Sequence, residues 1–449
     1  MSKQRIQLSD HFTYPRLLRF VLPCIGTMLF TSIYGIVDGL CVSNFVGKTA
    51  FAAVNLIMPL PMLLGTIGFM LGTGGSAIVG ITLGEGDQKK ADRYFTLFLL
   101  AALVSVSVLA VLGIVFLRPI AVLLGAKGEL LDYAVRYGRI LMVSLPTFAL
   151  QNMFQSFFVT AEKPHLGFWF TVGAGCTNMV LDVLMVGIWG WGVEGAAIAT
   201  FISQLVGGVL PVFYFIDRSN SSRLHLCKTS FYSKVLRDAC INGSSELMTN
   251  LSMSLVNILY NYQLLRLAGE NGVAAYGVIM YAAFLFVAVF VGYAVGSAPI
   301  VSFHYGARNH AEVHNLYRKS LRLIAVVAVT LTLASMFIIP CVARIFVGYD
   351  AELLALTSRA FRLYALSFLI MGFNVYASSF FTALGDGVTS ALISFLRTLA
   401  FQVIAILLLP LLLGIDGIWL AVTAAELAAL VVSAAMLLTK DKVFHYRKA

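Results

Sequence analysis

The chain has 449 residues, of which 59% are hydrophobic and only 12% charged. Soluble domains carry about a quarter charged residues, so this composition excludes an ordinary globular enzyme and points to a chain buried in lipid. A formal charge of +10 leaves nucleic acid or an anionic surface open as partners until the lysines and arginines are placed.

The opening stretch "MSKQRIQLSDHFTYPRLLRF" has the charged start of a signal peptide. It lacks a small-residue cleavage site and its apolar run continues too far, so an uncleaved first helix is expected. Apolar runs between charged or turn-rich breaks then give twelve spans, at 17–43, 50–82, 95–117, 138–160, 166–188, 193–216, 238–264, 273–303, 321–343, 361–384, 389–413 and 417–438. Several exceed the ~20 residues needed to cross, which implies tilt or extension beyond the bilayer. The fold class is an all-α integral membrane protein.

With the N-terminus inside, 21 Lys and Arg fall on the cytoplasmic side and 9 outside, with Arg397 alone within a span. That asymmetry sets both termini in the cytoplasm and explains the basic charge as topology, with no nucleic-acid partner. Cysteines 24, 41, 176, 227, 240 and 341 lie mostly in apolar runs without a CxxC pair. They are expected to be small buried hydrophobes, neither disulfides nor metal ligands.

The two halves repeat at an offset of about 221–223 residues. "GGSAIVGITLGEGD" (74–87) matches "VGSAPIVSFHYGARN" (295–309), and "FLRPIAVLLG" (116–125) matches "FIIPCVARIF" (337–346). "SFFVTAEK" (156–163) matches "SFFTALGD" (379–386), and "GVEGAAIA" (192–199) matches "GIDGIWLA" (414–421). Six spans per half keep the copies in one orientation, related by an axis along the membrane normal, with a site expected at their interface. The expected division is an N-lobe at 1–216, a basic linker at 217–237 and a C-lobe at 238–449.

Ionisable groups inside spans cost several kcal/mol and usually mark ion or substrate pathways. Five lie well inside: Asp38, Asp182, Glu246, Arg397 and Glu426. Around the "GWG" turn at 190–192, Asp182 lies nine residues before Trp191 and Thr200 nine after it. Both therefore sit about 13 Å below that turn, and Asp38 lies at about 12 Å by the same helical rise. Asn178 is one turn from Asp182 on the same helix face. Two carboxylates, an amide and a hydroxyl at one depth suit a hard cation, or a proton shared between acids. The structural alternative is a set of separate helix–helix hydrogen bonds.

Pro23 in the first span permits a kink that responds to Asp38. The repeat makes spans 7 and 11 neighbours, so a Glu246–Arg397 ion pair is expected. Glu426 has no partner evident in the sequence. Positions matching Asp38 and Asp182 in the second half fall near Leu259 and Ile404, so ion chemistry belongs mainly to the first half. Tyr34, Met62, Met280, Tyr281 and Phe284 are candidates for an adaptable cavity. "GTGGSA" at 72–77 lies inside a span without a βαβ context, and no HExxH, GxSxG or P-loop pattern appears, so no enzyme and no ATP motor is expected.

Three stretches carry a family resemblance: "VDGLCVSNFVGKTAFAAVNLIMPL" (37–60), "GEGDQKKADRYF" (84–95) and "NMVLDVLMVGIWGWGVEGAAIAT" (178–200). Over nearly its whole length the chain resembles multidrug and toxic compound extrusion (MATE) transporters, closest to the bacterial MepA-like branch. The resemblance implies two six-helix lobes around a cleft, and export of cationic or amphipathic drugs against entering H+ or Na+. It implies an N-lobe cation site that maps onto Asp38, Asn178, Asp182 and Thr200. NorM-type members are described with a second site using a span 7 glutamate and a span 10 aspartate. Glu246 resembles the first, but span 10 here has no carboxylate.

The expectation is therefore a secondary antiporter in the bacterial cytoplasmic membrane, acting as a monomer. It needs no cofactor beyond the coupling ion, H+ or Na+, and no metal beyond Na+ at the coupling site. Pro23, Tyr34, Glu246, Met280, Tyr281, Arg397 and Glu426 are its cavity or gating candidates. A lipid-linked oligosaccharide flippase of the same superfamily and a non-transport membrane protein are the alternatives.

Overall fold

The computed structural model describes residues 6–46, 48–348 and 350–447, with the side chains of 36, 38–44, 48, 51, 342, 345 and 346 outside the described set. Nine helices are long and apolar enough to cross a membrane, and a pair bent by 46°, Ala351–Ala365 with Phe368–Ala383, makes a further span. The 63-residue helix Ser244–Gly306 is two spans, because its backbone breaks at Gly269 with φ 59 and ψ −150. That left-handed conformation is open to glycine, and it makes the turn within "AGENG". Glu129–Thr160 is the remaining span. Its apolar character is diluted by Gln151 and Asn152, both buried against neighbouring helices. The twelve expected spans are thus all present among the described residues.

In order they are span 1, Tyr14–Phe45; span 2, Lys48–Ile57 with Pro59–Gly84; span 3, Gln88–Leu123; and span 4, Glu129–Thr160. Span 5 is Pro164–Asp182 continued by a π-helical turn, Val183–Ile188, and span 6 is Gly192–Gly208 with Leu210–Ile216. Spans 7 and 8 are the two limbs of Ser244–Gly306, and span 9 is His310–Val347. Span 10 is the bent pair. Span 11 joins Gly387–Phe395, a π turn at Leu396–Ala400 and Phe401–Leu413, and span 12 is Ile415–Thr439. Spans 4 and 9 start about ten residues before the expected apolar windows, since a helix continues past the bilayer once nucleated.

Span 1 runs through Pro23 as one helix. The proline lacks the N–H that would bond the Arg19 carbonyl, and Thr27 Oγ1 donates to the Pro23 carbonyl at 2.9 Å.

The described end segments, around Phe12 and Tyr446, both pack against the start of span 9 at one face of the bundle, the terminal face. The segment after span 6 is ordered along span 3: His225 N donates to Asp92 Oδ1 at 3.0 Å and Cys227 N to Thr96 Oγ1 at 3.1 Å. A short helix, Ser233–Asn242, follows. Asn242 is a wedge between the halves, donating to the Thr382 carbonyl of span 10 at 2.9 Å and to the Gly74 carbonyl of span 2 at 3.4 Å. Gly84 faces the Phe303 carbonyl and Gly306 faces that of Ile81 so closely that no β-carbon fits at either place. Spans 2 and 8 are therefore sealed together at the terminal face.

Candidate functional site

The register of the first half follows from close approaches at glycines. A β-carbon at Gly195 would lie 3.2 Å from the Met185 backbone carbon, and one at Gly173 would lie 3.9 Å from Val206 Cγ1. Spans 5 and 6 are antiparallel, so these markers set Thr200 level with about Val180, midway between Asn178 and Asp182. The hairpin is centred nearer Gly190 than Trp191, which moves the level by less than a turn from the expectation. Spans 1 and 5 run parallel, with Gly26 against the Phe168 ring, Gly175 against Phe30 and Tyr34, and Gly187 against the Phe45 ring. That register sets position 38 level with about Val180 too. The side chain of Asp38 lies outside the described residues.

Asp182 is fully buried and Asn178 is 2% exposed. Asn178 Nδ2, Thr200 Oγ1 and Gln204 Oε1, one turn from Thr200, have no hydrogen-bond partner among the described residues. A buried polar group left unpaired costs about 1–3 kcal/mol, and three such atoms lie together here. Asp182 is also the last residue before the π turn, a local distortion common at functional sites. The oxygens of Asn178, Asp182 and Thr200 are the hard donors that Na+ takes, and a buried carboxylate among them equally suits a proton.

A central cavity of ≈ 330 Å³ is lined mostly by the second half, with Thr73, Ser76 and Ser156 of the first half at its wall. Its charged lining residues are Glu246 of span 7, Arg397 of span 11 and Glu426 of span 12. Arg397 lies within electrostatic reach of Glu246, but its direct ion-pair contact among the described residues is not with Glu246. Spans 11 and 12 form a hairpin at Gly414, and Arg397 Nη1 meets Glu426 Oε1 at 3.5 Å instead. Asn374 of span 10, fully buried, completes the arrangement. Its Nδ2 donates to Glu426 Oε2 at 2.7 Å and to the Glu426 backbone carbonyl at 2.9 Å. Span 10 thus presents an amide to this cluster. Asn374 went unnoticed in the sequence, where the only signal was one asparagine in the apolar run "LIMGFNVYA".

Aromatic groups complete the wall. Tyr260 and Tyr276 stack at 4.9 Å with planes 13° apart, and the Tyr276 hydroxyl donates to Asn257 Oδ1 at 2.7 Å. Met280 and Phe284 line the cavity, as expected. Tyr281, one residue around the helix, is 42% exposed and outside that lining. Tyr34 packs on Phe30 at 6.2 Å, beside span 5, and Met62 borders a separate small cavity with Thr200 and Gln204. Pro23 lies near the terminal face, about 22 Å along span 1 from Asp38.

Two six-span bundles with buried carboxylates and a cavity between helices define a polytopic transporter fold. A family model described as MatE matches residues 23–184 and again 247–408, so the chain belongs to the MatE family. The multidrug export protein MepA of Staphylococcus saprophyticus subsp. saprophyticus is 21% identical over 433 residues, 95% of this chain and 94% of that one. Two solved structures share the fold. One is a MATE crystallised in complex with MaL6, with a TM-score of 0.92 at 22% identity over 100% of both chains. The other is a MOP superfamily transporter from Pyrococcus furiosus Vc1, with a TM-score of 0.90 at 22% identity, again over 100% of both.

Proposed function

We propose that the chain is a secondary active multidrug exporter, moving cationic or amphipathic compounds outward in exchange for entering H+ or Na+. One observation carries this reading: acidic groups occupy two separate centres, one in each half. The first, at the level of Asp38, Asn178, Asp182 and Thr200, is small, and its Asp182 and Asn178 are closed off from solvent. The second, with Glu246 and Glu426, faces a cavity large enough for a compact organic cation. An ion and a substrate held at different places can be coupled if each binds the two facing states of the transporter unequally.

In this reading the coupling ion binds Asp182 with Asp38, and the first lobe, residues 1–216, rearranges against the second, 238–449. The basic-residue asymmetry supports a cytoplasmic terminal face; in this reading the membrane is the bacterial inner membrane and a single chain forms the whole pathway. The relative from Staphylococcus saprophyticus bears the name multidrug export protein, which supports the substrate class. Lipid-linked oligosaccharide export calls for a markedly cationic cavity, whereas this one carries two acids to one base.

Cells lacking their own exporters and expressing this chain should accumulate less ethidium than control cells. Dissipating the ion gradients should remove the difference. Equal accumulation in both, with the protein present in the membrane, would refute drug export.

A further inference from the structure

The cavity contains its own cation. Among its described lining residues only Glu246, Arg397 and Glu426 are charged. The two carboxylates are not equivalent. Glu426 is 1% exposed, held by both Asn374 bonds and faced by Arg397 at 3.5 Å. Glu246 lines the same cavity; Arg397 lies within electrostatic reach of it, but none of the described residues bonds its carboxylate. The guanidinium is loosely held: its single ion-pair contact is long, and its Nε is buried without a partner. An arginine stays charged at any physiological pH, so this counter-charge is permanent.

We propose that Arg397 is a tethered counter-cation that sets the cavity at one net negative charge, making it the residue that selects singly charged over doubly charged organic cations. The inference rests on the reading of this cavity as a substrate site and adds a charge rule to it. Glu246 is the carboxylate left for the ligand. The Tyr260–Tyr276 stack supplies an aromatic face for a flat cation. A second positive charge on the ligand would find only Glu426, already neutralised, and would be repelled by Arg397. In a cavity walled by low-dielectric protein that repulsion is poorly screened.

Ethidium and propidium test this, since they share one ring system and carry one and two positive charges. Binding of each would be measured by fluorescence to the purified full-length protein at pH 8. Wild type should favour ethidium by about tenfold, the scale of one poorly screened charge. Arg397→Gln should erase or reverse that preference, Arg397→Lys should keep it, and Arg397→Gln with Glu426→Gln should restore it by returning the cavity to one negative charge. Removing one partner of a buried pair can unfold a protein, so Gln402→Glu gives a second route. It adds a carboxylate to the cavity wall with the Arg397–Glu426 pair intact, and should admit propidium. An unchanged dye ratio across Arg397→Gln, or across Gln402→Glu where that variant alone folds, would overturn the charge rule while leaving drug binding intact. If Arg397→Gln weakens both dyes equally, Arg397 is a structural partner only. Wild type that binds neither dye would defeat the substrate-site reading itself, and the charge rule with it.

Discussion

Glu312, at the start of span 9 in the second half, accepts the backbone N–H of Phe12 at 2.9 Å. Four residues earlier in the same arm, Leu8 N donates to Glu162 Oε1, also at 2.9 Å, and Glu162 belongs to the turn between spans 4 and 5 in the first half. The arm before span 1 therefore bridges both halves across the terminal face. Phe12 and Leu8 are fully buried there, Lys319 Nζ caps the Phe12 carbonyl at 2.6 Å, and Arg223 meets Glu162 at 2.6 Å. Glu312→Ala leaves the Phe12 amide without its acceptor in a buried place, at a cost of about 1–3 kcal/mol. The expected result is a lower thermal midpoint and faster proteolytic trimming of residues 6–13. Unchanged stability with a protected arm would mean that the bridge is incidental.

The seal between spans 2 and 8 makes a second prediction. Gly306→Val places atoms against the Ile81 carbonyl, and overpacking of this kind costs about 1–3 kcal/mol. If that strain falls on the state closed at the terminal face, its population drops by roughly 5- to 150-fold. A cysteine in place of Ser302, fully buried one turn away, should then become reactive to a thiol reagent, with transport slowed. Equal labelling with and without Gly306→Val would show that the seal does not hold this face closed.

Asn374 is expected to be worth more than its size. It satisfies both a carboxylate oxygen and a backbone carbonyl of Glu426, and hydrogen bonds to charged groups contribute about 1.5–3 kcal/mol. Asn374→Ala should lower unfolding stability by about 2 kcal/mol or more in detergent. Its effect should shrink in a Glu426→Gln background, as measured by a double-mutant cycle. Additive losses would separate the two residues.

Outside the spans, Asp386 caps the helix Gly387–Phe395. Burial pushes its carboxyl up, but hydrogen bonds from Lys440 and from the Thr389 side chain and amide outweigh that and hold it below the usual range. A lowered folded value stabilises above the unfolded carboxylate value of about 3.9 and is lost as pH falls through the folded one. Asp386→Asn should therefore destabilise at pH 7, and the gap from wild type should close below about pH 4. A gap independent of pH would remove the charge from the explanation.

Lipid imposes a rule that a sequence must obey openly, which is why the spans were legible. Each crossing needs about twenty apolar residues, and the breaks "GWG" and "AGENG" carry the glycines that the turns at Gly192 and Gly269 adopt with positive φ. Depth counted along helices was enough to bring Asn178, Asp182 and Thr200 to one level. The repeat offset separated the halves: Ile404, near the counterpart of Asp182, is 52% exposed on the outer surface. Lateral neighbours were not legible. Arg397 takes its partner from the adjacent hairpin rather than from the repeat-related helix, and Asn374 reaches Glu426 from 52 residues away in sequence. The arm was hidden for a similar reason. Leu8 and Phe12 sit in a charged stretch like a signal-peptide start, and only the loops they dock on explain their burial.

The most direct test of the account uses protein reconstituted in liposomes, comparing wild type with Asp182→Asn. Ethidium movement would be followed under an imposed proton gradient and then under an imposed Na+ gradient. Flux in wild type should be driven by one of the two gradients, and that driven flux should be lost in Asp182→Asn while ethidium binding to the cavity persists. Full gradient-driven flux in Asp182→Asn would contradict the placement of ion coupling in the first half.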